Sequence, residues 1–197
     1  MQRFRQSLQR FARDESGVML AEFLILFPLL IWGFIGLTVY WDVFRTINVS
    51  QKAAYSISDL LSRQEVVNEQ FVNGLQNVLD FLTPGAPESR MRITSLEFRQ
   101  NDPGPADDSY FLLWSRSPGD RVERHTTDSI QDLDDQIPTI DNLASVIIVE
   151  TWVDYVPAFD IGVLNFAPGI TNQTFTQFVV TFPRRRRVCL EGTVTCA

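Results

Sequence analysis

Apolar and polar residues follow three different patterns along the chain. Residues 18–41, VMLAEFLILFPLLIWGFIGLTVYW, are almost continuously apolar. As a helix, these roughly 24 residues reach ~36 Å, more than the ~30 Å hydrocarbon core of a bilayer. A helical period follows through residue 63, where Phe44, Ile47, Ala54, Ile57 and Leu61 recur largely at three-to-four-residue steps or their multiples. The polar run Arg63-Gln64-Glu65 interrupts it. Asn68 is placed to cap a second helix through Leu82. That helix carries Phe71, Leu75, Val78, Leu79 and Leu82 on its apolar face, is slightly weakened by Gly74 and closes at Thr83-Pro84-Gly85.

After Pro87 the period shortens to that of strands. Arg90–Arg99 alternates, but its apolar phase moves from Met91 and Ile93 to Leu96 and Phe98, which predicts a bulge. Tyr110–Ser115 is a second, short apolar strand, and NDPGPADD (101–108) between the two is turn chemistry. Residues 145–156 alternate most clearly, with Ile147, Val149, Thr151, Val153 and Tyr155 on one face and Glu150 and Asp154 on the other. Pro157 ends that strand. A loop containing Pro168-Gly169 leads to a fourth strand, Thr174–Phe182, with Phe178, Val180 and Phe182 on one face. Two of the three connections read as loops, which favours antiparallel pairing. The third, from Ser115 to Ser145, is long enough to hold a helix.

The predicted class is α+β. A leader (1–17) precedes a transmembrane helix (18–41), which extends into a soluble helical region (42–82). That region packs on a small antiparallel β-sheet domain (83–197) that ends in a cysteine loop.

Charge orients this layout. Arg3, Arg5, Arg10 and Arg13 outweigh Asp14 and Glu15 before Gly17, residues 18–41 carry only Glu22, and residues 42–197 carry a net charge of -8. A basic head before an uninterrupted span keeps the head cytoplasmic and exports the acidic body. The expected location is a bacterial inner membrane, crossed once, with the C-terminal domain in the periplasm. The acidic body argues against nucleic-acid binding, which needs positive surface to replace phosphate counterions. Cys189 and Cys196 lie at the extreme C-terminus. In an exported body they can pair and close a small loop; otherwise they are two thiols at a chain end.

Two residues stand out within the apolar stretch. Glu22 lies about one turn in, where a carboxylate costs up to ~2.5–3.5 kcal/mol at the bilayer centre and less near the edge. Either it snorkels to the cytoplasmic headgroups or it has a partner or a task. Pro28 removes a helix hydrogen bond and is expected to kink or loosen the helix.

Gly17-Val18-Met19-Leu20-Ala21-Glu22-Phe23 resembles the processing site of type IV prepilins of the Flp/Tad class. The wider run from Asp14 to Gln64, with its Arg-rich start and a proline shortly after Glu-Phe, is similar to the TadE/TadG pilus-assembly proteins. This specific likeness covers about the first 65 residues. It implies a pilin-like fold and a minor pilin, pseudopilin or anchored assembly factor of a pilus used in adhesion and surface colonisation. The implied partners are other pilins, the assembly machinery and a prepilin peptidase. The peptidase would recognise Gly17, Val18, Glu22 and Phe23 and cut after Gly17. The Glu22 carboxylate would then pair with the Val18 amine of a neighbouring subunit. An unrelated membrane-anchored sensor or binding module would share the anchor, with Glu22 incidental.

No enzyme chemistry or cofactor is expected. His125 lies in a polar loop, and no G-x-S-x-G nucleophile motif accompanies it. Asp128, Asp132, Asp134 and Asp135 lack the alternating ligands and central glycine of a calcium loop and read as a solvated helix face. Two thiols and one distant histidine do not make a four-ligand metal site. Arg184–Arg187 is either an exposed strand end or loop, or an electrostatic contact for an acidic neighbouring subunit or anionic lipid.

Overall fold

The computed structural model describes residues 16–100, 108–159 and 170–193. The expected leader up to residue 15, most of the expected NDPGPADD turn, the expected Pro168-Gly169 loop and Cys196 lie outside the described residues. The chain divides into two units, residues 1–42 with 157–170, and residues 43–156 with 171–197.

The described part of the first unit is mainly the start of helix α1, Ser16–Ser62. Leu, Ile and Phe dominate this part, and Pro28 lies inside the helix without ending it. Its apolar side chains are largely exposed, Leu20, Leu24, Leu29, Leu30 and Phe34 among them.

The second unit is an α+β domain. Its elements are the rest of α1, β1 (Val66–Val67), α2 (Glu69–Leu82), β2 (Ser89–Gln100), β3 (Asp108–Arg116), β4 (Ser145–Tyr155), β5 (Gln173–Thr181) and β6 (Cys189–Leu190). The main sheet is antiparallel, in the order β3-β2-β4-β5. The predicted second helix is α2. The Asn68 side chain accepts a hydrogen bond from the Phe71 amide at 2.8 Å, satisfying one of the first-turn donors. Phe71, Val78 and Leu82 pack at the edge of the core, and Val72 and Leu75 lie within it beside Leu79.

The two faces of the sheet build two cores. On one, Ala53, Ile57 and Leu61 of α1 and Val72, Leu75 and Leu79 of α2 cover Met91, Ile93, Val149 and Val153. Burying each of the larger side chains stabilises by about 1.5–3 kcal/mol. On the other face, Ile130, Leu133, Ile137 and Ile140 from the β3–β4 connection cover Leu96, Val146 and Ile148. That connection contains two 3-10 turns, Pro118–Asp120 and Gln131–Gln136.

This two-sided burial revises the predicted bulge. The pairing of β2 with β4 runs without a break from Ser89↔Val153 to Glu97↔Ser145. The register shift falls at Ser95/Leu96 in the β2·β3 pair, where the extra residue is Leu113 of β3. As a result Leu113 and Trp114, adjacent in sequence, reach the same core. The apolar phase of β2 changes because Met91 and Ile93 serve one core and Leu96 and Phe98 the other. The alternation expected for β4 is likewise masked, since Val146 and Ile148 are as buried as Ile147 and Val149. Phe178 and Val180 of β5 pack against the second core, whereas Phe182 lies beyond the strand and is exposed.

Candidate membrane anchor and assembly site

Gly17, Val18, Glu22 and Phe23 all lie in the first turns of α1. Val18 and Glu22, four residues apart on a helix, stand one above the other on one face. Glu22 is exposed, and no described side chain pairs with it. Phe23 stacks on Phe27 at 4.9 Å between ring centroids. The helix is long and apolar enough to cross a membrane, and none of its most apolar stretch is buried within the structure. That exposure distinguishes it from a core helix, which hides such residues against its own domain.

In the second unit, the C-terminal segment is fastened beside the end of α1. β6 pairs parallel with β1, Val66 opposite Cys189 and Val67 opposite Leu190. The Arg184 amide donates to the Ser62 carbonyl at 2.9 Å, satisfying an acceptor in the last turn of α1. The Arg184 side chain lies 3.6 Å from Asp59, and Arg185 pairs with Glu65. Part of the arginine run is therefore neutralised within the chain by α1 and the residues just after it. Trp114 donates its indole N–H to the Val188 carbonyl at 2.8 Å, tying the same segment to β3. Cys189 is half-buried in β6.

His125 is not free in its loop. Its Nε2 lies 3.1 Å from the Glu150 carboxylate, and its Nδ1 lies 2.9 Å from Ser129 Oγ. Arg92 donates to the same carboxylate through Nε at 2.6 Å and Nη2 at 2.7 Å, and through Nη1 to the Glu123 carbonyl at 2.8 Å. The Arg92 guanidinium also lies over the Trp152 ring, 5.4 Å from its centre. This cluster joins β2, β4 and the β3–β4 connection. Ser129 Oγ also accepts from the Thr126 amide at 2.9 Å, so it closes a local turn. Sequence reasoning left these partners unread. The available signal was opposite charge on one face: Arg90 and Arg92 on β2, Glu150 and Asp154 on β4.

The acidic residues divide. Asp132 and Asp135 are exposed on the second 3-10 turn, whereas Asp134 accepts a hydrogen bond from the Tyr110 hydroxyl at 3.0 Å. Among the described residues, no three His, Cys, Asp or Glu side chains gather as metal ligands. No protein-family model, curated protein or solved structure matches this chain.

Proposed function

We propose that this chain is a pilin-like structural or assembly component of a Tad/Flp-type pilus: a minor pilin, pseudopilin or anchored assembly factor. It sits in a bacterial inner membrane with its N-terminus cytoplasmic and its sheet domain periplasmic, and it is not an enzyme. The observation that carries this reading is Glu22, an exposed carboxylate on an exposed apolar helix, five residues after Gly17. A helix of this kind needs a hydrophobic surrounding, and a charge within it needs a partner. Cleavage after Gly17 would supply one, because the new Val18 amine carries a positive charge at the membrane edge. A neighbouring Glu22 can neutralise that amine where low dielectric strengthens the attraction. The architecture is consistent with this reading: α1 continues unbroken from the apolar stretch into residues that pack on an antiparallel sheet.

The test is Glu22→Gln in a strain with its pilus partners. The variant should insert normally, since it loses an intramembrane charge, and should recover fewer partner pilins on co-purification. Normal cleavage, normal partner recovery and normal piliation together would contradict the pairing and return Glu22 to a snorkelling role.

A further inference from the structure

The two edges of the main sheet are finished differently. At β3, the Gln131 side chain accepts from the Tyr110 amide at 3.2 Å and donates to the Tyr110 carbonyl at 2.7 Å. A side chain therefore occupies edge groups that another strand would use. β3 also carries the bulge at Leu113 and the charged Arg116 at its end. Each of these devices discourages strand addition.

Among the described residues, β5 has none of them. Its nine residues, QTFTQFVVT, contain no charge, proline or glycine. It pairs with β4 on one side in unbroken register from Tyr155↔Gln173 to Ile147↔Thr181. Among the described residues, no strand or loop backbone pairs with its other side. Such an edge is a template for another strand.

We infer that β5 pairs antiparallel with β5 of a second copy, joining two four-stranded sheets into one of eight strands. The register is centred on Gln177, the central residue of the strand. In that register Gln177 faces Gln177, Phe175 faces Val179, Phe178 faces Thr176 and Thr174 faces Val180. Aromatic and β-branched residues are favourable cross-strand partners, and no like charges meet. Only this register overlaps all nine residues. It also keeps the faces matched, since odd-numbered residues meet odd-numbered ones on the helix-covered side. An edge bearing like charges would repel its own copy, whereas this uncharged one meets a second copy over its whole length without repulsion. The inference goes beyond the pilus reading and does not depend on it.

The experiment is cysteine crosslinking of the full chain in native membranes, with Cys189→Ser, Cys196→Ser and Gln177→Cys. Facing residues in an antiparallel pair have Cα atoms about 4.5–5.5 Å apart, within disulfide reach. Gln177→Cys should give a disulfide-linked homodimer at least about fivefold above Thr127→Cys, an exposed control in the β3–β4 connection. Adding Thr176→Lys, at an exposed edge position, should return it to the control level. Co-purification of two differently tagged copies that retain both native cysteines should fall similarly with Thr176→Lys. Dimer no greater than the control, crosslinking to a different protein, or recovery unaffected by Thr176→Lys would each overturn the inference.

Discussion

Arg92 and Glu150 stand directly opposite each other on β2 and β4, and the guanidinium grips the carboxylate with two hydrogen bonds of 2.6 and 2.7 Å. Their side chains are only 14% and 8% exposed, so the pair is desolvated and does not behave as a surface ion pair. Breaking it from one side leaves a buried charge, and Arg92→Ala should destabilise the domain by about 3 kcal/mol. Replacing both residues together, as Arg92→Met with Glu150→Leu, should cost much less. Denaturant unfolding followed by tryptophan fluorescence measures both variants.

The same pair sets an acid limit. Burial pushes the Glu150 carboxyl up, but hydrogen bonds from His125 and Arg92, reinforced by charge, outweigh it and hold the group below its ordinary value of 4.5. The unfolded chain therefore takes up this proton more readily than the folded one. The resulting stability is present above the ordinary value and is lost as pH falls through the lower, folded-state value. Glu150→Gln should flatten the stability curve in that acid range, as unfolding measured between roughly pH 3 and 6 would show. An unchanged acid slope would mean that other carboxylates carry it.

The cap of α2 is a more local test. Asn68→Ala removes the acceptor of the Phe71 amide and should cost about 1 kcal/mol. Asn68→Asp, which keeps an acceptor and adds a charge favourable to the helix N-terminus, should restore most of it. Thermal unfolding of the two variants separates the cap from any effect of volume.

α2 was legible because its information is local. Asn68, the apolar spacing and Thr83-Pro84-Gly85 all lie within a few residues of the ends they define. The strands were legible as segments for the same reason. Pairing across them was not. The role of Leu113 as the extra residue depends on β2 lying beside it, and β2 reads as phase-shifted only because each half serves a different core. His125 reads as polar loop because its partners, Glu150 and Ser129, are brought to it by the sheet and a local turn. The arginine run offered no hint that Arg184 and Arg185 would be taken up by Asp59 and Glu65, more than 100 residues earlier. At the other end, Glu22 could be singled out from sequence because a carboxylate within an apolar run is costly wherever the rest of the chain goes.

The proposed orientation rests on the arginines before Gly17 and the single charge between residues 18 and 41. Reporter fusions placed after Arg63 should be active in the periplasm, and fusions placed before Gly17 should be active in the cytoplasm. The reverse pattern would invert the topology and remove the argument for an exported sheet domain.

The most direct test of the pilin-like account is the N-terminal residue of the chain in membranes with and without its cognate prepilin peptidase. A Cβ added at Gly17 would meet no described atom within 4 Å, so substitution there probes processing with little disturbance of packing. Peptide mass spectrometry should find Val18 at the N-terminus when the peptidase is present. The Arg3–Arg13 leader should be retained when the peptidase is absent or when Gly17 is replaced by a bulky residue. A leader-bearing N-terminus in both strains would contradict the cleavage step and the amine–carboxylate pairing built on it.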